Sequence, residues 1–228
     1  MSRASLAPEW VGRTWVADVS WGMAIRKIAQ LGEPVLREPA RALRSDELGI
    51  AATERLIDDM IDTMRDADGA GLAAPQVYES LQLVVIELAT PRRYPNVEPI
   101  PLMTLVNPRV TALVPGGVEP LADSDAITVY EGCLSVAGMR GRVRRPRRVR
   151  VQALDRTGQP LDFVWEGFRA AVVQHEVDHL LGTLFIDRAL PRSLMFLREY
   201  ERFVPPDLRV VDGAVSAPAV APTSHPSA

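Results

Sequence analysis

Cysteine is almost missing from this chain. Cys133 is the single one in 228 residues, which excludes an internal disulfide framework. Histidine is scarce as well: there are three, and two of them, His175 and His179, stand four residues apart. Lysine occurs once, at Lys27, so nearly all basic charge is arginine; the bias carries no mechanistic weight by itself. No apolar run approaches the length of a membrane span. Residues 1–22 hold three tryptophans but no apolar h-region, so they do not read as a secretory signal. Arg3 and Arg13 are balanced there by Glu9 and Asp18, which argues against a transit peptide. A net charge of −3 gives no reason to expect nucleic acid as a bulk electrostatic partner. What is present, 47% hydrophobic and 24% charged residues over a length that can bury a proper core, points to one globular domain.

The informative stretch is His175-Glu176-Val177-Asp178-His179, an H-E-x-x-H pattern. On a helix, positions i and i+4 lie one above the other on one face, so both imidazoles can reach one metal ion. Glu176 then stands close enough to handle a proton on metal-bound water. The flanks favour a helix: Phe168, Val172, His175 and His179 share a face, and Gly182 is placed to end it. The bland alternative is a buried helix whose histidines are hydrogen-bonded core residues. Against it, the motif takes two of three histidines, the third being His225 near the end of the chain.

A catalytic centre of the zinc type needs three protein ligands and an open position. Three sources for the third ligand are open. A metzincin pattern has Gly182 in place, but Phe185 stands where its last histidine belongs, so that reading fails. A thermolysin-like protease would use a downstream glutamate, and Glu199 is available. The third source is Cys133, inside Glu131-Gly132-Cys133-Leu134-Ser135. A lone cysteine is more plausibly a ligand or nucleophile than half of a disulfide, and otherwise a small core hydrophobe.

Along the chain, an ordered pattern begins at Met23, which would make a natural first residue, and turns at 32–34. From about Ser45 to Asp68 the pattern is helical: Leu56, Met60 and Met64, with Ile57 and Ile61 beside them, form a stripe. Ser45 is expected to cap that helix, and Gly69 to take the left-handed position at its end. GAGLAAPQ at 69–76 then leads to a strand over Leu81–Leu88. Its two glycines let backbone approach a ligand, and Gln76 offers an uncharged amide that can donate to an oxyanion. Residues 101–131 suggest two or three short strands. Arg140, Arg142, Arg144, Arg145, Arg147, Arg148 and Arg150 resemble a nucleic-acid patch. We read them instead as the wet face of a strand on which Val149, Val151 and Ala153 point inward. A turn at 155–158 and a partner strand over Gln159–Trp165 follow. Pro191 to Phe203 reads as a last helix, and the Ala/Pro/Ser/Thr stretch from Pro205 onward as disordered.

With GAGLAAPQ, EGCLS and QHEVDH in that order, the sequence resembles the peptide deformylases, which remove the N-formyl group from the initiator methionine of new polypeptides. The three motifs lie between residues 69 and 179, and general similarity runs from about Met23 to Arg188. The resemblance implies an α+β fold, with short antiparallel strands packed around a central metal-binding helix and a C-terminal helix. The catalytic domain is then expected over 23–203; residues 1–22, an extension, and 204–228, read from composition as a disordered tail, fall outside the resemblance. Cys133, His175 and His179 are then implied as ligands of one divalent ion, generally Fe(II), with Zn, Ni or Co as substitutes. Glu176 would be the general acid/base, Gln76 and the Leu134 backbone N–H would hold the oxyanion, and Gly71 would sit beside the bound peptide. The implied substrates are N-formyl-methionyl nascent polypeptides in the cytoplasm, met through a transient association with the ribosome. Membrane attachment and direct nucleic-acid binding are not expected. Ala137 departs from the proline that many members carry after CLS, which bears on loop stiffness and not on the chemistry.

Amide hydrolysis needs a nucleophile, a stabilised oxyanion and a protonated leaving amine. A divalent metal lowers the pKa of its water from about 15.7 toward 7, Glu176 would accept and return the proton, and a thiolate ligand softens the site. Thiolate with ferrous iron predicts sensitivity to oxygen and peroxide. A thermolysin-like endopeptidase would leave Cys133 idle, and an RNA- or ribosome-binding module would leave the metal motif idle.

Overall fold

The computed structural model describes residues 24–88, 97–114 and 121–212. The proposed extension at 1–22 and the end of the chain from 213 lie outside these residues.

Two antiparallel sheets enclose one central helix. The first sheet has the order β1-β2-β3-β6-β7, built from Gly71–Ala73 (β1), Leu83–Leu88 (β2), Ile100–Ala112 (β3), Arg148–Leu154 (β6) and Pro160–Glu166 (β7). The second comprises Ala126–Cys133 (β4), Val136–Pro146 (β5), Met195–Phe196 (β8) and Val210–Asp212 (β9), in the order β8-β5-β4-β9. The helices are Ala51–Asp66 (α1), Gly167–Leu180 (α2), Phe185–Arg188 (α3) and Leu197–Phe203 (α4).

β2 shows why this stacking follows from the sequence. Its Leu-Val-Val-Ile run is apolar throughout, as a strand covered on both faces should be. Val84 and Ile86 point to α2, where they join Phe168, Val172 and Val173; Leu83 and Val85 point the other way, to Leu56, Ile57 and Met60 of α1. β6 has one covered face: Val149, Val151 and Ala153 are buried, while Arg148, Arg150 and Gln152 are exposed, as the period-two alternation predicts. Arg150 meets Asp162 of β7 across that wet face.

Several boundaries differ from the sequence reading. The first helix starts at Ala51, six residues later than Ser45, because Gly49 adopts a left-handed φ of 70° and breaks the pattern. Asp68, at φ 52°, takes the left-handed place expected of Gly69, whose N–H returns to the Met64 carbonyl at 2.9 Å. Gly69 is small for another reason: a Cβ there would stand 3.0 Å from Leu134 Cδ1. Among the described residues of 101–131 there are two strands, within the two or three expected, but β3 is long, running for 13 residues. The last helix begins at Leu197, since Met195 and Phe196 extend to pair with Arg140 and Met139 of β5. Order also continues past residue 204, where a tail was expected. Val204 is buried, residues 206–208 form a 3-10 turn, and β9 pairs with β4 through Val210 and Val129.

The wet-face reading of the arginine run needs correction at three positions. Arg140, Arg142 and Arg145 on β5 are buried. That strand packs against α2, α3, β8 and α4, so alternation there does not separate solvent from core.

Candidate active site

α2 runs through the middle of the molecule and is brought to a stop at its C-terminal end. Gly182 adopts φ 71°, and a Cβ there would fall 2.6 Å from the Arg37 carbonyl oxygen. That contact demands glycine on steric and on conformational grounds. The 3.6-residue period of α2 sends His175, Glu176 and His179 toward the end of β4, where Cys133 sits just before the turn into β5.

Among the described residues, one cluster offers three potential metal ligands. Cys133 Sγ and one ring nitrogen each of His175 and His179 all lie within 4.8 Å of one another. Cys133 Sγ is 3.2 Å from His179 Nε2. Burial opposes charge on the Cys133 thiol, but His179 and His175 outweigh it and hold the thiol well below its ordinary range. The thiolate, the form of cysteine that ligates metal, is thus favoured. The sulfur also accepts from the Ser135 backbone N–H at 3.3 Å and from Gln76 Nε2 at 3.5 Å. Two imidazoles and one thiolate at such separations are a donor set that suits a single divalent ion.

Glu176 is buried beside these side chains, and among the described residues its Oε2 has no hydrogen-bond partner. Burial pushes its carboxyl above the ordinary range, against the opposing pull of His175 and His179. An unpaired buried oxygen of this kind is costly, and a catalytic role is one reason for a fold to keep it. Gly71 makes the space for it: a Cβ at 71 would meet Glu176 Oε1 at 2.4 Å. Gly71 was expected beside a bound peptide; it lines the same cleft, and its tightest constraint is Glu176.

Gln76 is buried in the 3-10 turn after β1. Its Oε1 accepts from the Ala73 backbone N–H at 2.8 Å, and its Nε2 reaches Ser135 Oγ at 3.1 Å as well as the Cys133 sulfur. Residues 29–31 pin this region from outside. The Ala29 N–H donates to the Gln76 carbonyl at 2.8 Å, the Leu31 N–H to the Ser135 carbonyl at 2.7 Å, and Gln30 Nε2 to the Leu134 carbonyl at 3.0 Å. The two expected oxyanion donors, Gln76 and Leu134, are therefore tied to one backbone segment. Both line a cleft of about 290 Å³, together with Gly71, Cys133, His175 and Glu176.

The alternative third ligands fall elsewhere. Glu199 sits on α4, 4.0 Å from Arg198 at the surface. Phe185, where a metzincin histidine would stand, is a fully buried core residue whose ring stacks on His175 at 6.3 Å.

Sequence reasoning missed the support behind the cluster. His175 Nδ1 lies 2.8 Å from Glu131 Oε2. Glu131 is gripped by the buried Arg145 at 2.5 and 2.9 Å, and Arg145 reaches Asp178 at 2.8 Å. Arg188 closes on the same Asp178 at 2.7 and 2.6 Å. Burial alone would raise the Glu131 carboxyl, but Arg145 and His175 more than offset it and hold it at about 2. This chain of charges orients the His175 ring, as carboxylate partners of ligating histidines do. No local pattern marks this support, because it joins β4, β5, α2 and α3 through side chains distant in sequence.

Comparison with known proteins agrees with this picture. Residues 25–194 match the family model described as polypeptide deformylase. A peptide deformylase of Leptospira biflexa is 42% identical over 178 residues, covering 78% of this chain and 94% of that protein. Peptide deformylase 1 of Nitrosomonas europaea is 44% identical over 161 residues, covering 71% of this chain and 85% of that protein. Among solved structures, a Met-Ala-Ser-bound class I type b peptide deformylase from Acinetobacter baumannii superposes with a TM-score of 0.66 at 35% identity. That match covers 73% of this chain and 99% of the other.

Proposed function

The chain belongs to the polypeptide deformylase family, enzymes that take the N-formyl group from newly made polypeptides, and from that membership we propose that it is a metal-dependent amide hydrolase whose catalytic group is Glu176. The observation that carries this reading is the convergence of Cys133, His175 and His179 within 4.8 Å, beside a buried carboxyl with an uncommitted oxygen. Cys133 Sγ and the two imidazoles would hold one divalent ion, Fe(II) in preference to Zn, Ni or Co. Bound there, the ion supplies Lewis acidity and brings water closer to deprotonation at neutral pH.

The protein's own groups do the rest. Glu176, its pKa raised by burial, accepts a proton from the attacking water and delivers it to the departing nitrogen. Gln76 Nε2 and the Leu134 backbone N–H meet the oxyanion that forms at the formyl carbon. One such donor is worth roughly 2.7–4 kcal/mol in the transition state. Val129, Phe168, Ala171 and Val172 give the cleft an apolar wall suited to the flexible thioether of methionine. β1 ends its sheet at Gly71, so its free edge can pair with an extended peptide. The substrates are N-formyl-methionyl nascent chains in the cytoplasm, reached in transient contact with the ribosome. Among the described residues no helix is long and apolar enough to cross a membrane.

The test is anaerobic purification with metal analysis, followed by assay of formate released from formyl-Met-Ala-Ser. One equivalent of divalent metal with formate release is expected. Metal-free protein that releases formate at the full rate would refute the metal-dependent reading.

A further inference from the structure

The family match ends at residue 194, yet the cleft does not. Leu197, the first residue of α4, lines it. We propose that Tyr200 of α4 positions Arg140 as the receptor for an acidic side chain of the formyl-peptide, downstream of its methionine. This rests on the deformylase reading of the cleft.

Arg140 is buried to about nine-tenths and lines the cleft. Its guanidinium packs against Gly132, so close that a Cβ at 132 would fall 1.8 Å from Nη1. One N–H donates to the Met139 carbonyl at 2.8 Å. The buried Tyr200 ring has its centroid 5.9 Å from the guanidinium carbon. That ring is itself held, by Tyr130 at 5.5 Å between centroids and by Arg209 at 5.0 Å. β8 fixes the backbone below through the Arg140–Met195 pair.

What Arg140 lacks is a counter-charge. Arg144, Arg145, Arg148 and Arg150 each have a carboxylate within ion-pair distance; among the described residues Arg140 has none. A buried cation without one is costly. One backbone carbonyl and one ring face leave most of its five N–H donors uncommitted. Arg140 lines the cleft, where an extended peptide would lie. A carboxylate matches the guanidinium fork, which a neutral amide does so less well. Asp68 lines the same cleft from the end of α1, so the cleft carries both signs and the preference should appear at one peptide position rather than along the whole chain.

The experiment uses the metal-loaded full chain and formyl-Met tetrapeptides carrying glutamate or glutamine at the second, third or fourth residue, with formate release as the readout. At one position, and at low salt, kcat/KM for glutamate is expected to exceed that for glutamine by about tenfold, carried by KM. Arg140→Gln should bring the ratio to near one. Tyr200→Leu should reduce it with little change in the kcat ratio, while Tyr200→Phe, which keeps the ring face, should retain it. A glutamate/glutamine ratio within twofold at every position would overturn the proposal, as would its survival in Arg140→Gln. So would a Tyr200→Leu variant in which both peptides lose kcat equally, the mark of a merely structural role. Absence of formate from every peptide would sink the deformylase reading and this inference with it; a flat ratio with vigorous formate release sinks this inference alone.

Discussion

Arg145→Met tests the support behind the proposed metal ligands. Arg145 is buried between Glu131 and Asp178, and methionine fills similar volume without charge. Removing one partner of a buried ion pair costs about 3–5 kcal/mol, because the remaining charge is stranded. Linkage gives an independent figure: a fully buried carboxyl held at about 2 rather than 4.5 contributes about 3 kcal/mol. For a chain of this size each kcal/mol shifts Tm by about 2–4 °C, so a loss on the order of 10 °C is expected. The sign with pH is also set. Glu131 has a depressed pKa, so its contribution is complete above about 4.5 and fades as pH falls toward 2. The gap between wild type and variant should narrow over that window. Because Glu131 aims His175, metal affinity should fall by about 10–100-fold. Arg150→Met removes an exposed pair with Asp162 and should cost at most about 1 kcal/mol. Thermal melting and a chelator titration of both variants give the readout. Equal Tm losses, or unchanged metal retention in Arg145→Met, would refute the reasoning.

Other outcomes follow from the same geometry. Cys133→Ala should strip both metal and formate release, while Glu199→Ala should leave both near wild type; the reverse, by metal analysis, would point to a gluzincin-type protease. Glu176→Ala should keep metal and lose turnover, since its role is proton transfer, and a variant that loses metal instead would make Glu176 a ligand. Gln76→Ala is expected to lower kcat by about 10²–10³, and a fall confined to KM would remove it from the oxyanion site. Deleting residues 206–228 takes away β9 and its pairing with β4, so its melting temperature should drop further than that of a chain lacking only 213–228.

The helix that carries His175 and His179 was legible because period 3.6 is a local property, and so was the alternation of Val149, Val151 and Ala153 on β6. The third ligand beside His175 and His179 was left between Cys133 and Glu199 by the residues alone, since nothing local joins a strand end to a helix forty residues on; the motif order favoured Cys133. Arg145 was misread for a related reason. Whether an alternate residue on a strand meets water depends on what covers the sheet, and β5 is covered on both sides by elements distant in the chain. The short strands β8 and β9 carry too few residues for any period to show, and β9 borrows its order from β4. The left-handed place falls at Asp68 rather than Gly69, and Leu134, from the turn after β4, approaches Gly69, a contact that no local pattern contains.

A carboxamide is nearly symmetrical in outline, and a buried one could in principle turn over without disturbing its neighbours. At position 76 it cannot, because the Ala73 N–H claims the oxygen and so leaves only the nitrogen to face the Cys133 sulfur. Shape is therefore not what this position selects. Glutamate would fit the same space with both ends acceptors, bringing oxygen lone pairs against a sulfur anion, and would have to hold a proton to remain there. Position 76 discriminates by the direction of a dipole, and a backbone hydrogen bond on the far side of the residue sets that direction.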